Sequence, residues 1–136
     1  MKSVAVKFTI SVAKRSLSYE GKCKFLHGYG HVVEAEFSSD TKGDMVMDFY
    51  EIKEKLGKWL DENWDHNTLL NKGDKPLGNV IEDMTGQKIF YLEGDPTSEN
   101  MAQYIKETVC PELFDDVTCT RVRIYDTANE FAEVEG

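Results

Sequence analysis

Residues 4–14 alternate without interruption: Val4, Val6, Phe8, Ile10 and Val12 fall on one side of an extended chain, and Ala5, Lys7, Thr9, Ser11 and Ala13 on the other. A period of two is the mark of a half-buried β-strand. Such a strand needs hydrogen-bonding neighbours along its edges and a second layer over its apolar side. If it persists, Lys14 falls next on the apolar face, where an ammonium is costly without a partner. After a loop containing Gly21, a second strand is predicted over 27–38, with His27, Tyr29, His31, Val33, Ala35 and Phe37 at its odd positions. Three polar rings therefore share the face that becomes core a few residues later.

A turn at 40–44 closes this hairpin, and the period then changes. Phe49, Ile52, Leu56, Trp59 and Leu60 form a helical stripe, with Asp48 placed to cap it. WDHNTLLNKGDKP ends the helix, and Gly73, Pro76 and Gly78 predict an exposed loop. A short strand follows at 88–92. Thr97 then caps a second helix whose apolar positions are Ala102, Ile105 and Val109, and Pro111 is expected to end it. A long strand is predicted over 117–127, with Val122, Ile124 and Asp126 on one face, and 130–135 pairs back on it.

The order is β-β-α-(β)-α-β-β over 136 residues, one domain by length. An α+β fold is expected, with a mainly antiparallel sheet covered by two helices on one face. The other face and the edges would be open, which predicts association with further copies.

Charge narrows the partners. The net charge of −9 argues against nucleic acid. Six basic residues (Lys2, Lys7, Lys14, Arg15, Lys22, Lys24) against Glu20 give the first 24 residues +5. That stretch either focuses a small polyanion or is a solvated strand face. No apolar run is long enough to span a membrane, and the alternating N-terminus is not patterned like a signal peptide. Three cysteines without a CxxC motif argue against a disulfide framework and for a reducing, cytoplasmic setting.

Several residues invite chemistry. Cys23 and His27 read as a thiolate–imidazole pair or, with His31, as part of a zinc site. Asp65 beside His66 reads as a carboxylate-oriented general base or as an imidazole at a helix end. Asp126 is either solvated or aimed at a ligand with paired N–H donors.

Six stretches, VAKRS (12–16), CKFLHGYGH (23–31), GDMVMDF (43–49), WDHNTLLN (64–71), DPTSEN (95–100) and YDT (125–127), come in the order of six family markers. The chain resembles the 6-pyruvoyl-tetrahydropterin synthase and 6-carboxytetrahydropterin synthase family nearly end to end. The resemblance implies a T-fold subunit, β-β-α-α-β-β, in a homo-oligomer (trimer or hexamer) with pterin bound at subunit interfaces. It implies Cys23 as acid or base, Asp65 and His66 as a proton relay, and Asp126 in place of an anchoring glutamate, one methylene shorter. Thr97 and Arg15 are expected beside the substrate.

The family's zinc histidines correspond to Lys14, His27 and Tyr29 here, so one of three ligands is kept. His31 could serve as a substitute only after a shift of about 7 Å, two residues at strand rise. Three functions follow from the resemblance. The first is a lyase acting on 7,8-dihydroneopterin triphosphate, giving 6-carboxytetrahydropterin for a queuosine-type pathway or a 6-pyruvoyl product. The second is a metal-independent cleavage of the dihydroneopterin side chain in which Lys14 stabilises negative charge. The third is a pterin- or purine-binding protein without turnover.

Overall fold

The structure, a computed structural model, describes residues 1–136. Its strands are β1 (Lys2–Lys14), β2 (His27–Ser39), β3 (Asn67–Asn71), β4 (Ile89–Leu92), β5 (Thr118–Thr127) and β6 (Glu130–Glu135). They form one six-stranded sheet in the order β4-β3-β1-β2-β5-β6. Three helices complete the chain: α1 (49–63), α2 (Lys75–Thr85) and α3 (98–113).

The long alternating segments behave as their period requires. β1 and β2 pair antiparallel from Lys2 opposite Ser39 to Lys14 opposite His27. Val6, Ile10 and Val12 of β1, Val33, Ala35 and Phe37 of β2, and Val122 and Ile124 of β5 point into one core. Helix α1 starts at Asp48, whose carboxylate accepts from the Tyr50 N–H at 2.9 Å, and it buries Ile52, Leu56 and Leu60. Helix α3 starts at Thr97, whose hydroxyl accepts from the Asn100 N–H at 3.1 Å, and it buries Met101, Ala102, Ile105 and Val109. Both helices lie over the apolar face.

Three expectations need correction. The sheet is mixed, because β1, β3 and β4 run parallel to one another. The predicted loop after His66 is instead β3, a short 3₁₀ turn and α2. Leu69 and Leu70 are both buried because β3 is an interior strand covered on both faces, which leaves a continuous apolar pair where alternation was sought. Pro76 sits in the first turn of α2, where a missing N–H costs nothing. Gly78 lets that helix approach Tyr91 so closely that a Cβ would stand 2.0 Å from the phenol oxygen.

The third correction concerns Pro111. Helix α3 runs past it to Leu113 through a π-type turn in which the Cys110 N–H reaches back to Ile105 O. That wider turn lets the helix accommodate a residue with no N–H to give.

Across β2, β5 and β6 the sheet's other face is polar and self-paired. Arg121 lies 2.9 Å from Glu34 and 3.2 Å from Glu36, and Arg123 lies 2.6 Å from Glu133. No helix is long and apolar enough to cross a membrane.

Candidate active site

Topology gathers the site. Because β1 and β5 both run antiparallel to β2, the end of β1, the start of β2 and the end of β5 meet at one end of the sheet. The N-terminus of α3 arrives at the same place. Lys14, His27, Tyr29 and Asp126 therefore face one cavity of about 320 Å³. Cys23, Arg15, Thr97, Ser98 and Glu99 line it as well.

The ring stripe of β2 forms one wall. His27 and Tyr29 have ring centres 4.5 Å apart, and Tyr29 stacks on His31 at 5.0 Å. His31 lies fully buried beneath, its Nδ1 donating to the Tyr125 carbonyl at 3.0 Å and lying 3.5 Å from Asp126. Burial, together with the nearby Lys14 charge, holds the His31 imidazole below its usual pKa, so its Nε2 is a lone pair with no hydrogen-bond partner. Burial, with Cys23 and Asp126 close by, pushes the Tyr29 phenol up.

Lys14 is only 6% exposed. Its nitrogen lies 3.4 Å from Met101 Sδ and 4.7 Å from the centre of the Tyr29 ring. Burial lowers its pKa from 10.5 to about 8, against the attraction of Asp126, Cys23 and Glu99. Asp126 takes a short hydrogen bond from the Ser98 hydroxyl on Oδ1, which leaves Oδ2 for a ligand.

The rim is held by carboxylates that the sequence reading missed. Asp95 accepts from the Leu17 N–H and the Asn71 amide, each at 2.9 Å, and from the Ser18 N–H at 3.1 Å, so it fixes the segment after β1. Arg15 forks onto buried Asp74 at 2.6 and 2.7 Å, and that hydrogen-bonded pairing raises its already high pKa. Two of its three guanidinium nitrogens are thus engaged within the protein. Cys23 sits exposed on a short 3₁₀ turn, with its carbonyl accepting from the Ser16 N–H at 2.8 Å.

Asp65 and His66 lie elsewhere. His66 has a left-handed backbone (φ 64°), held by its N–H donating to Ser11 O at 2.7 Å. Asp65 accepts from the Ser11 N–H at 2.8 Å through one oxygen and lies 3.0 Å from His66 Nδ1 through the other. Burial alone would raise the Asp65 carboxyl, but these hydrogen bonds outweigh it and hold the group below its usual range. The imidazole is 81% exposed and borders a second cleft with Ser11, Gly30 and Gln87. Within one chain, the pair does not line the Cys23 cavity.

The donor set does not fit zinc, which takes three or four nitrogen, thiolate or carboxylate ligands at about 2 Å. No three His, Cys, Asp or Glu side chains converge in that way. His27 donates from Nδ1 to Phe25 O at 2.5 Å, which leaves Nε2 free, but a single imidazole is not a site. His31 faces Tyr125 and the underside of Tyr29, and the position expected for a third ligand holds an ammonium.

Comparison with known proteins agrees with this architecture. The family model described as 6-pyruvoyl tetrahydropterin synthase matches residues 3–136. The chain is 41% identical over 124 residues to a Rickettsia conorii protein named 6-carboxy-5,6,7,8-tetrahydropterin synthase, covering 88% of this chain and 90% of the relative. A protein of the same name from Aquifex aeolicus is 35% identical over 122 residues, covering 82% and 75%. Among solved structures, an uncharacterised protein of Wolinella succinogenes superposes with a TM-score of 0.77 at 19% identity, covering 99% of this chain and 98% of that one. The Caenorhabditis elegans 6-pyruvoyl tetrahydropterin synthase superposes at 0.68 and 21% identity, covering 99% and 95%.

Proposed function

Because the chain belongs to the 6-pyruvoyl tetrahydropterin synthase family, we propose that the cavity at the end of β1 is a pterin site. In this reading the protein is a lyase that converts 7,8-dihydroneopterin triphosphate and water to 6-carboxy-5,6,7,8-tetrahydropterin, releasing triphosphate by carbon–oxygen cleavage and the two outer side-chain carbons as acetaldehyde by carbon–carbon cleavage. The observation that carries it is the meeting of Asp126, Cys23 and Lys14 around one cavity. Asp126 anchors the ring: its free oxygen accepts from one N–H of the pterin's amidine edge, and the Ser98 hydroxyl fixes the carboxylate's orientation. Cys23, at the open rim, exchanges protons with the side chain of the substrate.

The Asp65–His66 relay enters this reading from a second copy of the chain. The imidazole is exposed, the pair is held by hydrogen bonds to Ser11, and neither residue lines its own chain's Cys23 cavity, so in this reading it serves a neighbour's. Unpaired edges at β4 and β6 support such an assembly.

The test is to incubate the protein with 7,8-dihydroneopterin triphosphate and measure released triphosphate together with the pterin product. Release with formation of the 6-carboxy compound supports the lyase. Tight pterin binding without release would instead support a binding protein.

A further inference from the structure

Lys14 presents an unusual combination: a buried cation on the apolar face of a central strand, facing a ligand cavity, with no carboxylate within ion-pair distance. Its nearest partners are a thioether and an aromatic face, at 3.4 and 4.7 Å. Neither neutralises a charge. A buried ammonium left in this state destabilises the fold, whereas an apolar side chain of similar length would pack against Met101 without that cost. The fold positions the ammonium firmly nonetheless, since Lys14 closes the β1–β2 ladder opposite His27. The cavity therefore has two poles, Asp126 as acceptor and Lys14 as cation, with Cys23 at the rim.

Building on the pterin reading above, we infer that the Lys14 ammonium is the positive centre of this pocket and receives the negatively charged oxygen on the pterin's six-substituent. It does so in the place where the family's pattern puts a metal ligand. A fixed, nearly buried cation stabilises an oxyanion better than a freely solvated one, because the Lys14 nitrogen is already placed and largely stripped of water before the charge develops. The ligand class is accordingly a pterin with an anionic or enolate-forming six-substituent. Pterins with neutral side chains should be held more weakly.

The experiment is a fluorescence titration with pterin-6-carboxylate and with 6-hydroxymethylpterin, each with and without chelator, on the intact protein and on Lys14→Met. The intact protein should prefer the carboxylate by roughly tenfold or more, as expected for a charge-assisted hydrogen bond. The preference should survive the chelator and vanish in Lys14→Met, mainly through weaker binding of the carboxylate. An absence of preference in the intact protein overturns the inference, and so does its persistence in Lys14→Met. Loss of the preference on chelation also overturns it, because the cation would then be a bound metal. If the variant fails to fold, an absence of preference in the intact protein, or its loss on chelation, still overturns the inference. Binding of neither pterin removes the pterin reading and this one with it, whereas equal binding of both removes this one alone.

Discussion

Replacing Lys14 and Tyr29 together by histidine is expected to turn this chain into a zinc protein, raising the bound metal from near zero to about one ion per chain. The register carries the argument. Lys14 faces His27 across the β1–β2 ladder, and Tyr29, two residues along β2 on the same face, has its ring centre 4.5 Å from that of His27. Three imidazoles at these positions would converge on the space beside the Lys14 nitrogen. Three nitrogens with one open position make a complete catalytic zinc set. Both side chains line the cavity, and although they also touch the core at Met101 and His31, a histidine at 29 keeps a ring to stack on His31. Removing a buried ammonium also relieves a desolvation cost. Metal content after dialysis, measured by plasma mass spectrometry, checks this, with a further His27→Ala change expected to return the content to baseline. If the unmodified chain already carries about one zinc, the two substitutions have been misjudged.

The second large effect is at Cys23. Cys23→Ala is expected to lower the rate of triphosphate release by about 10² to 10⁴, the usual contribution of a positioned acid or base. Thermal stability should stay the same, because the side chain is exposed and its turn is held through the backbone by Ser16. Single-turnover kinetics separates the two roles a thiol could have here. A variant that binds pterin normally but turns over slowly places Cys23 in the chemistry. One that keeps the full rate makes the thiol a bystander.

The parts of the fold legible in the sequence were those whose burial is one-sided. β1, β2 and β5 alternate because only one face meets α1 and α3, so Phe37, Val122 and Ile124 could be assigned to the core from the period alone. Segment 67–85 was misread for the converse reason. Leu69 and Leu70 are buried on opposite faces, and in α2 the apolar residues Leu77, Val80, Ile81 and Met84 do recur at helical spacing, but Gly73, Pro76 and Gly78 outweigh that period when read as loop signals. Glycine and proline there mark a close helix–strand approach and a helix start, and both resemble loop signals when no partner is in view.

The candidate site divides in the same way. Lys14, His27, Tyr29 and Asp126 were visible as polar interruptions of apolar strand faces, and the sheet brings them together. Asp95 and Asp74 were missed because their work is done across long sequence separations, on the Leu17 and Ser18 amides and on Arg15. The hydroxyl of Ser98, next to a predicted N-cap and facing the end of the β5 stripe, was the one signal that could have linked the second helix to Asp126. Adjacency of Asp65 and His66 in the chain says nothing about which cavity they serve. Their placement against Ser11 becomes evident only once β1 is paired on both edges.

The most direct measurement is the rate of triphosphate release from 7,8-dihydroneopterin triphosphate by protein whose metal content has been counted, with and without a strong chelator. With the buried ammonium as the positive centre, release proceeds on protein holding far less than one metal ion per chain and is indifferent to the chelator. A rate that rises and falls in proportion to bound zinc would contradict the account at its core.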